Sequence, residues 1–151
     1  MNSNNERIDS TVFLTVDTAN INPGNVKLTA ILSDNRNDSP EQPGDPTNFT
    51  TAVDRDKSVT WQGIVKEPTT NPNDSVQIIL IARKPGDNGG AKFLKHGILE
   101  TEDMSTVSGK IRDKKKEKDE ENENYYIVFT VNYDFTNPYI LDPKLKMTDK
   151  I

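Results

Sequence analysis

The sequence predicts an all-β fold: an antiparallel two-sheet β-sandwich of about seven to nine strands, with a closed β-barrel as the alternative. Three observations predict it. Apolar residues fall in short runs, several of them alternating with polar ones, as in STVFLTVD at 10–17. Segments rich in Gly, Pro and Asn separate the runs, and those residues favour turns for distinct backbone reasons. No stretch makes a convincing helix, and there is no internal repeat.

Taken in order, STVFLTVD places Val12, Leu14 and Val16 on one face, and NVKLTAIL at 25–32 does the same with Val26, Leu28, Ala30 and Leu32. Pro23-Gly24 between them reads as a turn. The segment 34–48 holds three prolines and a glycine, and a connection of that length is expected to be functional or mobile. FTTAV at 49–53 is a short, uncharged edge strand. KSVTWQGIVKE at 57–67 alternates Val59 and Trp61 up to Gly63, which invites a bulge. SVQIILIARK at 75–84 is the most apolar run and reads as a strand buried on both sides, and KPGDNGG at 84–90 as a turn.

The segment AKFLKHGILE at 91–100 fits two patterns. Phe93, Leu94, Ile98 and Leu99 would line a short helix, but Gly97 in its middle costs about 1 kcal/mol against alanine, which favours a bulged strand. TVSGKIR at 106–112 is a weak strand. YYIVFTVNYDF at 125–135 is a strong one, with Tyr125, Ile127, Phe129, Val131 and Tyr133 on its core face and Trp61 expected against it from the other sheet. PYILDPKLKM at 138–147 returns as the last strand, with Pro143 placing part of it on an edge or at a bulge. The expectation is one domain over 1–151, with mobile loops near 34–48 and 112–124.

Composition narrows function. A chain of 151 residues can enclose a core, although hydrophobic residues are only 32% and mean hydropathy is −0.77. The net charge of −5 favours solubility and disfavours a nucleic-acid surface. The chain has no cysteine, hence no disulfide or thiolate chemistry, and its one histidine, His96, excludes a histidine-based metal cluster. MNSNNERIDS lacks a secretory pattern, and no apolar run approaches the roughly 20 residues that span a bilayer. A bacterial cytoplasmic protein with no membrane partner is expected, so the sequons at Asn37, Asn48 and Asn73 are incidental.

Candidates for chemistry thin out quickly. In a strand, His96 and Glu100 share a face but lie about 13 Å apart, too far for a base and its orienting carboxylate. Asp34, Asp38 and Asp45 superficially suggest a calcium loop. Arg36 stands at a ligand position, however, and Ser39 where an EF-hand needs glycine. KPGDNGG lacks the Lys-Ser/Thr ending of a phosphate loop. RDKKKEKDEENEN at 112–124 carries five basic and six acidic residues, so its lysines are largely cancelled and it reads as a solvated, mobile hairpin tip, of which 113–123 is expected to be dispensable. Neither an enzyme nor any catalytic residue, cofactor or resident metal is expected.

The strand TVFLTVD, the mid-chain DKSVTWQGI, and YYIVFTV followed by the closing YILDPKLKM resemble the bacterial inclusion-body proteins of the PixA/AidA-like family. The resemblance covers about half the chain. It implies a cytoplasmic β-sandwich that self-associates, with no catalytic residues to carry over. The functional expectation is thus a non-enzymatic, self-associating or protein-binding sandwich forming a homo-oligomer. The alternative is a module binding carbohydrate or calcium in the loops at one end. The residues named for ligand or interface are Thr51, at the centre of the uncharged edge strand, and the aromatics Trp61, Tyr126 and Tyr139.

Overall fold

The computed structural model describes residues 6–40, 46–101, 103–115 and 121–150. Two-residue alternation builds β1 (Ser10–Val16), whose Val12, Leu14 and Val16 are buried while the residues between them are partly exposed. A single helical turn, α1 (Val26–Thr29), leads into β2 (Ala30–Asp34). Then come β3 (Thr50–Val53), β4 (Ser58–Val65), β5 (Val76–Arg83), β6 (Ile98–Glu100), β7 (Thr106–Lys110), β8 (Glu123–Val131), β9 (Tyr139–Leu141) and β10 (Lys144–Met147). They form a four-stranded sheet in the order β2-β1-β4-β7 and a six-stranded sheet in the order β3-β10-β8-β5-β6, with β9 also on β8. The result is the expected two-sheet sandwich, antiparallel except at β1–β4 and β3–β10, where the pairing is parallel.

The described residues form ten strands where seven to nine were expected, in part because Asp142-Pro143 divides the last one. Both halves still pair with β8, β9 through Ile127–Phe129 and β10 through Glu123 and Asn124. β10 lies between β3 and β8 and is interior, whereas β9 has β8 as its one neighbour among the described strands, so the part before Pro143 is at an edge, as expected.

Three other segments differ for identifiable reasons. NVKLTAIL is a strand only from Ala30; Leu28 is 83% exposed on α1. Asn22 and Asn25 capture local backbone N–H groups, the first that of Gly24 (2.8 Å) and the second that of Asn22 (2.7 Å), and this turn runs straight into the helical one. In SVQIILIARK a bulge between Ile78 and Leu80 resets the alternation. Ile78 and Ile81 are buried, while Leu80 and Ala82 lie half-exposed on the outer face, so the run is not buried on both sides. AKFLKHGILE forms one isolated bridge, Leu94 to Ile111, and then β6. At Gly97 a Cβ would lie 2.7 Å from Arg83 Nη1, so a side chain there would have to displace the guanidinium.

Gly63 also works by close approach. The β1–β4 register runs through it without a bulge, and a Cβ would sit 2.8 Å from Val76 Cγ1 and 3.1 Å from the Val76 carbonyl. It lets β4 and β5 meet across the core. The centre of that core is Trp61 against Tyr125, both fully buried, with rings 5.5 Å apart edge-on and the indole Nε1–H donating to the Tyr125 hydroxyl at 3.0 Å. The bond satisfies a polar atom from each sheet inside an apolar interior.

Tyr125, Ile127 and Phe129 face this core as expected; Val131 is half-buried, and Tyr133 lies past the strand end and exposed. Phe129→Ala therefore costs about 3–5 kcal/mol, whereas Val128→Thr on the outer face costs less than about 1 kcal/mol, as measured by urea denaturation.

Candidate functional site

The two sheets meet at one side through a knot of polar groups built by the chain that leaves β2. The Arg36 N–H donates to Asp34 (2.8 Å), turning the chain inward. The Arg36 side chain is 0% exposed. Its Nε and Nη2 fork onto the Asp38 carboxylate at 2.8 and 2.7 Å, and Nη2 also donates to Asp54 at 3.2 Å. Nη1 donates to Ser10 Oγ at 3.0 Å. Asp54, buried at the end of β3, also accepts from the Ile8 N–H (2.9 Å) and the Thr148 hydroxyl. Lys150 Nζ stands 3.2 Å from Asp38 and 3.7 Å from Asp54. Arg36 and Asp54 are thus buried as a pair, while Asp38 is 42% exposed and Lys150 reaches both carboxylates.

The same knot closes the edge of the six-stranded sheet. Odd-numbered residues of β3 bond to β10, which turns the peptide groups of Ala52 outward. The Ala52 N–H donates to Ser39 Oγ at 2.9 Å, and its carbonyl accepts from Ser10 Oγ at 2.8 Å. β3 is an edge strand, as expected, but two serine hydroxyls occupy it where another chain would add. Thr51 is fully buried and donates to Asp34 at 2.8 Å.

A second polar clip is built on Glu123, a residue inside the segment expected to be a dispensable tip. Glu123 is fully buried. It accepts from the Phe93 and Leu94 N–H groups, both at 2.9 Å, and from Arg83 Nε at 2.6 Å, while Arg83 Nη2 donates to the Leu94 carbonyl at 2.8 Å. One carboxylate thereby ties β8, β5 and the chain before β6 together. Residues 116–120 of that segment lie outside the described residues. The sequence hides Glu123 because it is one acid among many. The only signal is its position two residues before the core-facing Tyr125, on the same face of the strand.

Electrostatics follows burial and partners. The Arg36 guanidinium holds the Asp38 carboxyl well below the usual range. For Asp54 burial pushes upward, but bonds from Thr148, Ile8 and Arg36 outweigh it and the net shift is down. At Glu123 burial wins over its N–H donors and Arg83, and the carboxyl is raised.

The other named residues scatter. Trp61 is inside the core. Tyr139 is half-buried on the inner face, tilted on Phe129 at 5.4 Å. Tyr126 lies on the outer face, with Lys84 Nζ 5.3 Å from its ring. They do not form one aromatic platform. His96 is exposed before β6. Of the calcium candidates, Asp34 accepts from Ser39 and Thr51 as well as Arg36, Asp38 is taken by Arg36 and Lys150, and Asp45 lies outside the described residues. A guanidinium sits where a metal would be needed, and among the described residues no three acidic or histidine side chains group as a metal site requires. Two open clefts, of about 390 and 580 Å³, flank the knot and share Asp38 and Lys150.

No family model matches the chain, and no curated protein matches it in sequence. Among solved structures, the crystal structure of the inclusion body protein PixA from Burkholderia cenocepacia J2315 matches with a TM-score of 0.64 over 98% of this chain and 99% of that one. The chain shares that protein's fold. Sequence identity is 11%, so the likeness lies in the architecture. It extends the resemblance seen in short motifs to the whole length.

Two predictions follow from the closures. Asp38 and Asp54, held below their ordinary values, bind protons more weakly folded than unfolded. Their stabilisation is present above about pH 4 and is lost as the pH falls through their folded values. Glu123, raised, has the opposite sign. Chemical denaturation across a pH series shows the wild type losing stability on acidification below about pH 4, and Asp54→Asn showing a shallower loss. Glu123→Ala, which strands two buried N–H groups and a guanidinium, costs about 3 kcal/mol by the same measurement.

Proposed function

We propose that this protein is a non-catalytic, self-associating β-sandwich of the inclusion-body type, acting in a bacterial cytoplasm. The observation that supports this reading is the match in fold, end to end, with an inclusion body protein. The charged groups of the described chain point the same way. Arg36, Asp38, Asp54, Arg83 and Glu123 are engaged with one another and with backbone, an arrangement that holds sheets together. A second reading, a small polar ligand held at the loop end of the sandwich, draws on the two clefts that share Asp38 and Lys150.

Sedimentation velocity over a concentration series from micromolar to near-millimolar tests the first reading. The expected result is a weight-average sedimentation coefficient that rises with concentration. One monomeric species throughout overturns it and leaves the ligand reading in its place.

A further inference from the structure

The serine hydroxyls of the knot occupy the β3 edge, so association is obstructed where it was expected. The outer face of the six-stranded sheet is different. Residues in register there form a row across four strands: Glu100 on β6, Leu80 on β5, Val128 on β8 and Ile140 on β9. The adjacent row is Ile98, Ala82 and Tyr126. Ile98 is 67% exposed and Ile140 58%, while Leu80, Val128 and Tyr126 are half-exposed between them. The Ile78–Leu80 bulge produces this stripe by turning Leu80 outward after two isoleucines. A contiguous apolar band is unusual on the outer face of a sheet and marks an interaction surface.

We infer that this face is where a second copy of the chain docks, and the inference rests on the self-association reading above. The occupant follows from the charges that frame the band. Lys144, in register with Asn124, and Lys146 stand on β10 at the end of the face where β8 begins. Glu100 stands at the diagonally opposite corner, on β6. A two-fold axis lying diagonally across the face exchanges these corners. Each lysine end then meets the other copy's Glu100, and Ile140 falls near the axis, beside its own counterpart. A partner with uniform charge would match one corner and repel the other; a second copy matches both. The face covers roughly 500 Å² per copy, given strand spacing and rise. That is below the roughly 800 Å² per partner of a standard interface, so the dimer is weak and forms as concentration rises.

The test is sedimentation equilibrium on the wild type, Ile140→Glu, Ile98→Glu, Lys144→Glu, Glu100→Lys and the Lys144→Glu/Glu100→Lys pair, with circular dichroism confirming that each stays folded. Ile140→Glu and Ile98→Glu are expected to weaken dimerisation about tenfold or more. Each single charge reversal weakens it, and the double reversal restores it. If the wild type associates and both glutamate variants associate as tightly, the face is wrong while self-association stands. If the wild type is monomeric throughout, both fall. Failure of the double reversal to rescue, with the isoleucine variants weakened, overturns the two-fold arrangement.

Discussion

Everything at the open side of this sandwich depends on one buried guanidinium. Arg36 is excluded from water, and a bare cation there would carry a desolvation cost of several kcal/mol. The fold meets that cost by bringing Asp38, Asp54 and Ser10 to it from the loop after β2, from the end of β3 and from the start of β1. A planar, five-donor group can satisfy three partners at fixed angles, which a lysine ammonium cannot. The arrangement therefore sets where the two sheets stand relative to each other. Ser10 and Ser39, held in place by the same network, are what reach Ala52 on the sheet edge.

The two polar clusters solve one problem with different chemistry. Around Arg36, the Asp38 and Asp54 carboxyls are both pulled down. At Glu123 a single acid faces two backbone N–H groups and one arginine, and burial still dominates its proton affinity. The centre of the core is apolar apart from the indole–phenol contact. Polar closure at the rims and apolar filling at the centre let a chain of modest hydrophobic content hold two sheets together.

Much of the sandwich was legible because strand period is local. The inward faces of Val12, Leu14 and Val16, of Trp61, and of Tyr125, Ile127 and Phe129 follow from alternation. What was not legible depends on neighbours distant in sequence. The asparagines of 22–25 divert a good strand pattern into a helical turn. The bulge in β5 disguises a half-exposed strand as a buried one, and so hides the apolar face that carries the docking inference. Thr51 read as an open edge because nothing in FTTAV announces that Ser10 and Ser39 come to cover it. Glu123 was lost among other acids, since burial of a charge is decided by its partners and not by its type.

The parallel pairing of β3 with β10 has a consequence for how the chain is made. Among the described strands β3 pairs with β10 alone, and Asp54 beside it waits for Thr148, 94 positions further along. While the ribosome is still translating the middle of the protein, β3 has neither its hydrogen-bonded neighbour nor its capping hydroxyl. Such non-local contacts form late and slowly. The nascent chain must hold an uncharged strand without its partner until the last tenth of the described sequence emerges, which makes that interval the moment of greatest exposure to misassembly during synthesis.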